Sequence, residues 1–492
     1  MAAAWRDSGQ AARALPHAER SVALLPTEAV CRYLLAQVQE DLGQVPAAID
    51  SLRAALSLQA AYPEAHHYLG MLLADRGEDE AALASFQAAL RYKPDYARAW
   101  NNYGSLLRDL GRIAEAERAF REAARRRPDY ALAHHNLGLL LRDAGNKAAA
   151  IASLQRAQAL PPQRAETVLA LGNLLRTEGD LDTALRVLRQ ALPLERPREA
   201  RLHLALAFCL AERGDVAQAR ETYHRAALRA PGNLRAALGE ALTLPPIYQS
   251  GEEIELARRA YSAGLTRLQR DAGEFKAESR DDVLSALAWN NFYLAYQGLE
   301  DRPLQVAYDE FLRKMLARVA PEWLLAPEPK SDRTDKIRIG FASSFFSDST
   351  VGHYFARWIT ELDPARFEVY IYHLRPGADQ IAQEIAARAL VFRALAGKRI
   401  GEIINTIRGD DLEVLLYPEL GMDSTCFLLA AMRLAPVQCA AWGHPVTSGH
   451  LNIDFFFSSA AMEPPGAEAS YCETLIRLPG IGTSYPRPPV PT

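Results

Sequence analysis

Apolar positions in the first half of the chain follow a helical period, and that pattern itself repeats every 34 residues. Gly70, Gly104, Gly138 and Gly172 recur at this interval. A second glycine series runs Gly9, Gly43, Gly77, Gly111, Gly145 and Gly179, then slips by one to Gly214. Pro26, Pro94 and Pro128, with Pro162 one interval further, close several units at an equivalent place. The first glycine falls inside a helix A, where a missing side chain lets a neighbouring helix approach. The second ends the turn that follows, where a left-handed backbone is cheap for glycine. A run such as Glu115-Ala116-Glu117-Arg118-Ala119-Phe120 then opens helix B with its alanine and its aromatic facing the paired helix. The proline blocks continuation into the next unit. Self-similarity of this kind predicts a solenoid of helical hairpins, with seven helix B segments ending near residue 232. Gly9 already belongs to a turn, so the first unit holds little of its helix A, as a clipped N-terminus or a mis-called start would leave it.

From about 233 to 333 the repeat fades while the helical spacing persists. The stretch Asp282 to Trp289 is apolar at helical spacing, and Asn291 to Gly298 extends it as an aromatic-rich segment that reads as core rather than as a ligand box. Residues 327–335 (PEPKSDRTD) read as a linker. Beyond it the period changes from helix to strand. Runs rich in β-branched and aromatic residues fall at 336–343, 367–374, 413–420, 437–442 and 453–459, with amphipathic stretches between most of them, for example 401–408 and 425–433. Strands alternating with helices predict a mainly parallel sheet covered on both faces. Ligands bind such sheets at the carboxyl ends of the strands. The expected organisation is therefore a helical repeat domain over 1–232, a helical connector and linker over 233–333, and a Rossmann-like α/β lobe over 334–492.

Composition changes this picture little. At 492 residues the chain is long enough for two or three domains, and a hydrophobic fraction of 49% supplies their cores. A net charge of −4 gives no reason to expect a nucleic-acid partner. Five cysteines, Cys31, Cys209, Cys426, Cys439 and Cys472, show neither CxxC pairs nor matching histidine spacing, which argues against a disulfide framework and against zinc. No uninterrupted apolar stretch reaches the roughly 18 residues that a membrane span needs, and no signal peptide is recognisable. The expectation is a cytoplasmic protein with no membrane partner and no metal.

Two regions carry candidate chemistry. Solenoids of this kind hold extended peptides along a concave face. Asn102 and Asn136 are 34 apart, two residues before the helix A glycine, and a carboxamide can both donate to and accept from a peptide backbone. Tyr68 and Ala170 hold the equivalent places, so the column has two members. In the α/β region three loops follow strands. The loop 343–353 (SSFFSDSTVGH) combines small hydroxyl residues with a helix start. The second is 417–424 (YPELGMDS), with Glu419. The third is 441–449 (AWGHPVTSG), where two glycines and a proline shape a tight turn that exposes backbone amides.

The run 434–449 (LAPVQCAAWGHPVTSG), followed by Ile453-Asp454, and the opening strand 337–344 (IRIGFASS) resemble segments of the O-linked N-acetylglucosamine transferase family, in its bacterial form with tetratricopeptide repeats in front. The resemblance implies a tetratricopeptide superhelix followed by the first Rossmann-like lobe of a GT-B glycosyltransferase. It also implies an inverting activity that moves a sugar, N-acetylglucosamine in the first instance, from a UDP-sugar to Ser or Thr of a protein held by the repeats, without a metal or other cofactor. Gly443 and Pro445 would line the donor-sugar pocket, with His444, Thr447, Ser448, Gly449 and Glu419 around the substrate. The loop 343–353 would flank the acceptor oxygen. There the family carries a histidine where this chain has Ser349, and His353 lies four residues on; these two are the catalytic candidates. Leu478-Pro479-Gly480 resembles the family's junction between lobes, so a truncated chain, without the nucleotide-binding lobe and inactive alone, is expected. A non-catalytic tetratricopeptide scaffold and a transferase for another sugar or acceptor stand as the alternatives.

Overall fold

The computed structural model describes residues 1–277, 279–328, 335–377, 379–444 and 446–483. Pro445, most of the 327–335 linker and the C-terminal stretch from 484 lie outside the described residues. The chain divides into two compact units, 1–195 and 196–492.

The first unit is a succession of antiparallel helix pairs, for example Ala97–Asp109 with Ile113–Arg126, and Ala131–Asp143 with Lys147–Ala159. Both glycine series do what their spacing implies. Gly9, Gly43, Gly77, Gly111, Gly145 and Gly179 all have φ between +73° and +84°, the left-handed region in which a side chain is strained. The helix A glycines face the paired helix at very close range. A Cβ on Gly70 or Gly104 would lie 2.8–2.9 Å from the ring of Phe86 or Phe120, and on Gly138 or Gly172 2.7–2.9 Å from Leu154 or Leu188. Ala82, Ala116, Ala150 and Ala184, again 34 apart, are completely buried on helix B. A helix A glycine, a helix B alanine and one large apolar side chain thus form the packing unit that is repeated. The first pair is short, with Ala2–Asp7 against Ala11–Leu24.

The second unit begins with one further pair, Arg201–Glu212 and Val216–Arg229, and helix Leu234–Leu242 packs on it so closely that a Cβ on Gly239 would fall 2.4 Å from the Tyr223 ring. The segment read as one extended helix breaks instead: Arg280–Leu287 is α-helical and Phe292–Gln297 is a 3-10 turn. The helix ends at Leu287, and the Asn290 side-chain oxygen then accepts from the Phe292 amide at 2.8 Å at the start of the 3-10 turn.

Seven parallel strands follow: β1 Ile337–Ser343, β2 Phe367–His373, β3 Val391–Ala394, β4 Val414–Tyr417, β5 Val437–Ala441, β6 Phe455–Ser459 and β7 Thr474–Leu478, in the order β3-β2-β1-β4-β5-β6-β7. Two of them, β3 and β7, are absent from the sequence expectation. Both lie at sheet edges, and neither has a fully buried residue, so the apolar alternation that reveals a strand is weak in each. Along the inner strands alternate residues point to opposite faces. Ala342, Tyr372, Leu415, Tyr417 and Ala440 join one core with helices Arg302–Val319 and Ile400–Gly409. Phe341, Ile371, Leu416 and Cys439 join another with helices Thr350–Thr360 and Gln380–Arg388. The chain leaves β1 towards β2 and β3, then returns to β4 on the other side. The carboxyl ends of β1 and β4 therefore form the switch point, the place where such sheets bind ligands.

Gly104→Val should destabilise the first unit by about 1–3 kcal/mol, the usual range for overpacking. Adding Phe120→Leu to that variant should recover part of the loss, since the smaller side chain frees the contested space. Urea unfolding of the three proteins checks this; equal losses in the single and double variants would show that the Gly104–Phe120 contact does not set the helix spacing.

Candidate active site

Three loops meet at the switch point, and each is tied to its neighbour. At the end of β1 the Ser343 hydroxyl donates to Glu419 Oε1 at 2.7 Å and accepts from the Phe345 amide at 2.8 Å. At the end of β5 the Gly443 amide donates to the Pro418 carbonyl at 3.0 Å. Gly443 presses so closely on the β4 loop that a Cβ would lie 2.5 Å from that carbonyl and 2.9 Å from the Glu419 Cβ. The family resemblance assigns Gly443 to a donor pocket; in the structure its missing side chain is first a requirement for bringing two loops together. Gly421, at φ +114°, is needed for the same reason, because a Cβ there would overlap the His444 ring.

The turn after β5 is scaffolded from behind. Glu473, just ahead of β7, accepts from Thr447 Oγ1 at 2.6 Å, from the Ser448 amide at 2.8 Å and from Ser448 Oγ. Gly449, at φ +74°, sits directly on the Gln305 backbone. The His450 ring pairs with Asp309 at 2.7 Å, both completely buried, and Arg313 reaches Asn452 at 3.4 Å. Gln305, Asp309 and Arg313 are spaced four apart on helix Arg302–Val319, so one face of that helix grips consecutive points of the turn. Gln438 completes the frame by donating to the carbonyls of Met432 and Asn452 and accepting from the Leu434 amide. Glu473, His450, Asp309 and Gln438 all escaped the sequence reading. Their partners are 14 to 141 residues away, except for the local bonds of Gln438, and no spacing rule reaches that far.

The structure thus sorts the candidates. Thr447 and Ser448 have hydroxyls committed to Glu473, and Gly449 is a docking point for the helix. Ser349 is the N-cap of helix Thr350–Thr360: its hydroxyl accepts from the Gly352 amide at 3.1 Å and donates to the Phe345 carbonyl at 2.9 Å. Its proton and one of its two lone pairs are thereby engaged, and a hydroxyl is itself too weak a base to take a proton near neutral pH. His353, one turn on, is half-exposed and bonded to Asp348 at 2.8 Å. Two further candidates are buried. Glu419 is 1% exposed, and its Oε2 has no hydrogen-bond partner among the described residues. Burial pushes its carboxyl up to about 8, against the opposing bond from Ser343 and with help from the Asp423 charge. His444 is 5% exposed, its ring stacks on Phe292 at 5.5 Å, and burial pulls it down to about 4, so the imidazole is neutral at neutral pH. The Phe292 segment, read from sequence as core, thus borders the site; Asn290 binds it there through the Met422 carbonyl at 3.1 Å.

Asn102 and Asn136, in the first unit, belong to a ladder between helices. Asn136 donates to Asn101 at 2.9 Å, Asn101 to Asn102 at 3.3 Å, and Asn102 contacts the His67 ring at 3.0 Å. Substituting either would loosen the stack of repeats as well as remove a surface carboxamide. Among the described residues no group of three or more His, Cys, Asp or Glu could hold a metal ion, and no helix is long and apolar enough to cross a membrane.

Comparison with known proteins gives consistent matches to both regions. Tetratricopeptide repeat profiles match within residues 33–165 and over 175–241, and the profile of glycosyl transferase family 41 matches residues 317–481. A UDP-glucose:protein N-beta-glucosyltransferase of Actinobacillus pleuropneumoniae serotype 5b is 31% identical over 131 residues, 26% of this chain and 20% of that protein. The probable UDP-N-acetylglucosamine–peptide N-acetylglucosaminyltransferase SPINDLY of Arabidopsis thaliana is 24% identical over 193 residues, 38% of this chain and 21% of that protein. The chain thus spans about a fifth of the length of these curated relatives. Among solved structures, the Thermobaculum terrenum O-GlcNAc transferase overlays at a TM-score of 0.42 and 21% identity, over 80% of this chain and 59% of that one. Repeats of the tetratricopeptide type thus stand ahead of a region, built on this parallel sheet, that is similar to glycosyl transferase family 41.

Proposed function

We propose that the α/β lobe is the acceptor-side half of a protein O-glycosyltransferase site. In this reading a sugar passes from a UDP-sugar, N-acetylglucosamine being the expected one, to a Ser or Thr hydroxyl of a protein acceptor. The observation that carries the proposal is the convergence of the β1, β4 and β5 loops at the switch point, with Glu419 Oε2 buried and unpaired among the described residues and the neutral His444 ring close by. Inverting transfer needs an acceptor hydroxyl aimed at the anomeric carbon, a sink for its proton and stabilisation of the leaving diphosphate. The tight turn holding Gly443 and His444 suits the sugar, since its backbone is pinned by Glu473 and the helix behind it. Glu419, as a neutral acid at pH 7, can donate to a sugar or acceptor oxygen; once ionised, it can accept the hydroxyl proton. His444, too weakly basic to take a proton near neutrality, serves as a hydrogen-bonding wall. The described turn carries no lysine or arginine, so the diphosphate must be met by other groups.

The repeats supply the protein-binding part of this reading, and the site works without a metal. Transfer of labelled N-acetylglucosamine from its UDP donor to a Ser/Thr-rich protein, through a linkage released by mild alkali, is the expected result. An alkali-stable linkage to asparagine would replace the hydroxyl acceptor, and absence of any incorporation would favour the scaffold alternative. UDP alone should bind residues 1–492 weakly, and micromolar affinity by calorimetry would contradict that.

Glu419 also makes a prediction about stability. Its folded pKa, about 8, lies above the ordinary glutamate value of 4.5, so the folded chain binds the proton more tightly than the unfolded chain does. The stabilising effect of this protonation is complete below about pH 4.5 and is lost as pH rises through 8. Relative to the native protein, Glu419→Gln should therefore become progressively more stable between pH 5 and pH 9, because it removes the cost of ionising the buried group. Thermal melts of both proteins across that range test the assignment, and parallel pH profiles would refute it.

A further inference from the structure

Within the second unit, a cavity of about 540 Å³ opens where helices Arg201–Glu212 and Leu234–Leu242 begin, a size typical of ligand pockets. Its floor is apolar: Ala200, Leu234, Val283 and Ala286 line it, and each is 9% exposed or less. Hydrogen bonds to the backbone hold its edges in place. The Lys276 amide donates to the Gly232 carbonyl at 3.0 Å. The Arg229 guanidinium donates to the carbonyls of Arg196 and Glu199 at 3.3 Å each. Between those two anchors Arg198 is held at φ +66°, a left-handed backbone uncommon for any residue with a side chain.

The rim of this cavity is basic. Arg198, Arg201 and Lys276 are exposed and Arg235 is partly buried, and among the described residues none of the four forms an ion pair. Two carboxylates share the rim. Asp282 Oδ2 already accepts from the Ser279 hydroxyl at 2.6 Å, which leaves Glu199 as the one uncommitted acid against four cations. The other charges at the start of helix Arg280–Leu287 are matched by residues outside the lining, Arg280 by Glu322 at 2.8 Å and Asp281 by Arg399 at 3.1 Å. The Arg235 guanidinium lies 5.5 Å over the Phe208 ring and donates to the Ser285 carbonyl, and burial holds its pKa below the ordinary arginine value. A cation drawn out of water without a counter-ion is destabilised until an anion reaches it. The start of helix Arg201–Glu212 adds to the same field, since its N-cap residue, Ala200, has no side-chain acceptor for the first-turn amides.

Four cations from three stretches of chain stand around an apolar floor. Several carboxylates spread about an apolar side chain match that layout better than one compact phosphate does. We propose that this cavity docks an acidic segment of a partner polypeptide, with one apolar side chain on the floor and neighbouring Asp or Glu carboxylates paired with Arg198, Arg201, Arg235 and Lys276. The cavity shares no lining residue with the switch-point loops, and the binding requires neither a sugar nor its transfer.

The test titrates residues 1–492 with the peptide acetyl-Glu-Glu-Leu-Glu-Glu-amide, followed by NMR at low ionic strength. Peptides with all four Glu replaced by Gln, or with Leu replaced by Ser, serve for comparison, as do inorganic phosphate and a short single-stranded DNA. The acidic leucine peptide should bind most tightly, and added salt should weaken it. Arg201→Gln with Lys276→Gln should reduce its affinity about 2- to 30-fold, the usual worth of two exposed ion pairs. Both side chains are exposed, so the fold tolerates the change. Arg53→Gln with Arg121→Gln, which removes the same charge from the first unit, should leave the affinity unchanged. Equal binding of the Glu and Gln peptides, or an equal loss in both double variants, would overturn the proposal. Equal binding of the Leu and Ser peptides would remove the apolar anchor and overturn it as stated. Phosphate or DNA binding more tightly and displacing the peptide would overturn it in favour of a phosphate ligand.

Discussion

The site depends on how closely the loops after β4 and β5 can approach. The Gly443 amide bonds to the Pro418 carbonyl at a position where a single methyl group would collide with that same carbonyl. Backbone meets backbone, and neither loop can relax by turning a side chain aside. Once the two loops are joined, Glu419 is carried beneath the turn, Ser343 can reach it from β1, and His444 fills the space left by Gly421. The convergence of the three loops at the switch point is a consequence of this contact.

A close approach of this kind needs support from behind, and the fold supplies it by two polar routes. Glu473 uses both carboxylate oxygens on the two hydroxyls and one amide of Thr447 and Ser448, so the turn cannot rotate outwards without leaving buried donors unpaired. Helix Arg302–Val319 grips the far end through Gln305, Asp309 and Arg313. Residues that look like substrate ligands in sequence, the Thr-Ser-Gly run in particular, are spent on holding the turn.

The first unit obeys a different economy. Each repeat sets its helix spacing with one glycine against one large apolar side chain, and places one alanine at complete burial. The polar ladder from Asn136 through Asn101 and Asn102 to His67 crosses repeats, so carboxamides that a peptide could use are also part of the framework. Repeat packing and any peptide contact are therefore coupled through the same side chains.

The sequence by itself determined whatever depends on local period. The two glycine series revealed the helical hairpins, because φ near +75° and contacts under 3 Å each demand glycine at a fixed phase of the repeat. The β-branched runs revealed the inner strands β1, β2, β4, β5 and β6, since burial on both faces writes a dense apolar pattern. The same logic explains why β3 and β7 stayed hidden at the sheet edges; the helix expected through 282–298 instead ends at Leu287, and Asn290 beyond it captures the Phe292 amide. Tertiary structure alone decided the partners and the burial of the candidate residues. That the Thr447 hydroxyl finds Glu473, that Ser349 caps a helix and that Glu419 is buried rather than exposed all turn on partners and burial. Most of those partners are distant in sequence, and burial follows from the assembled fold; neither leaves a trace in residue spacing.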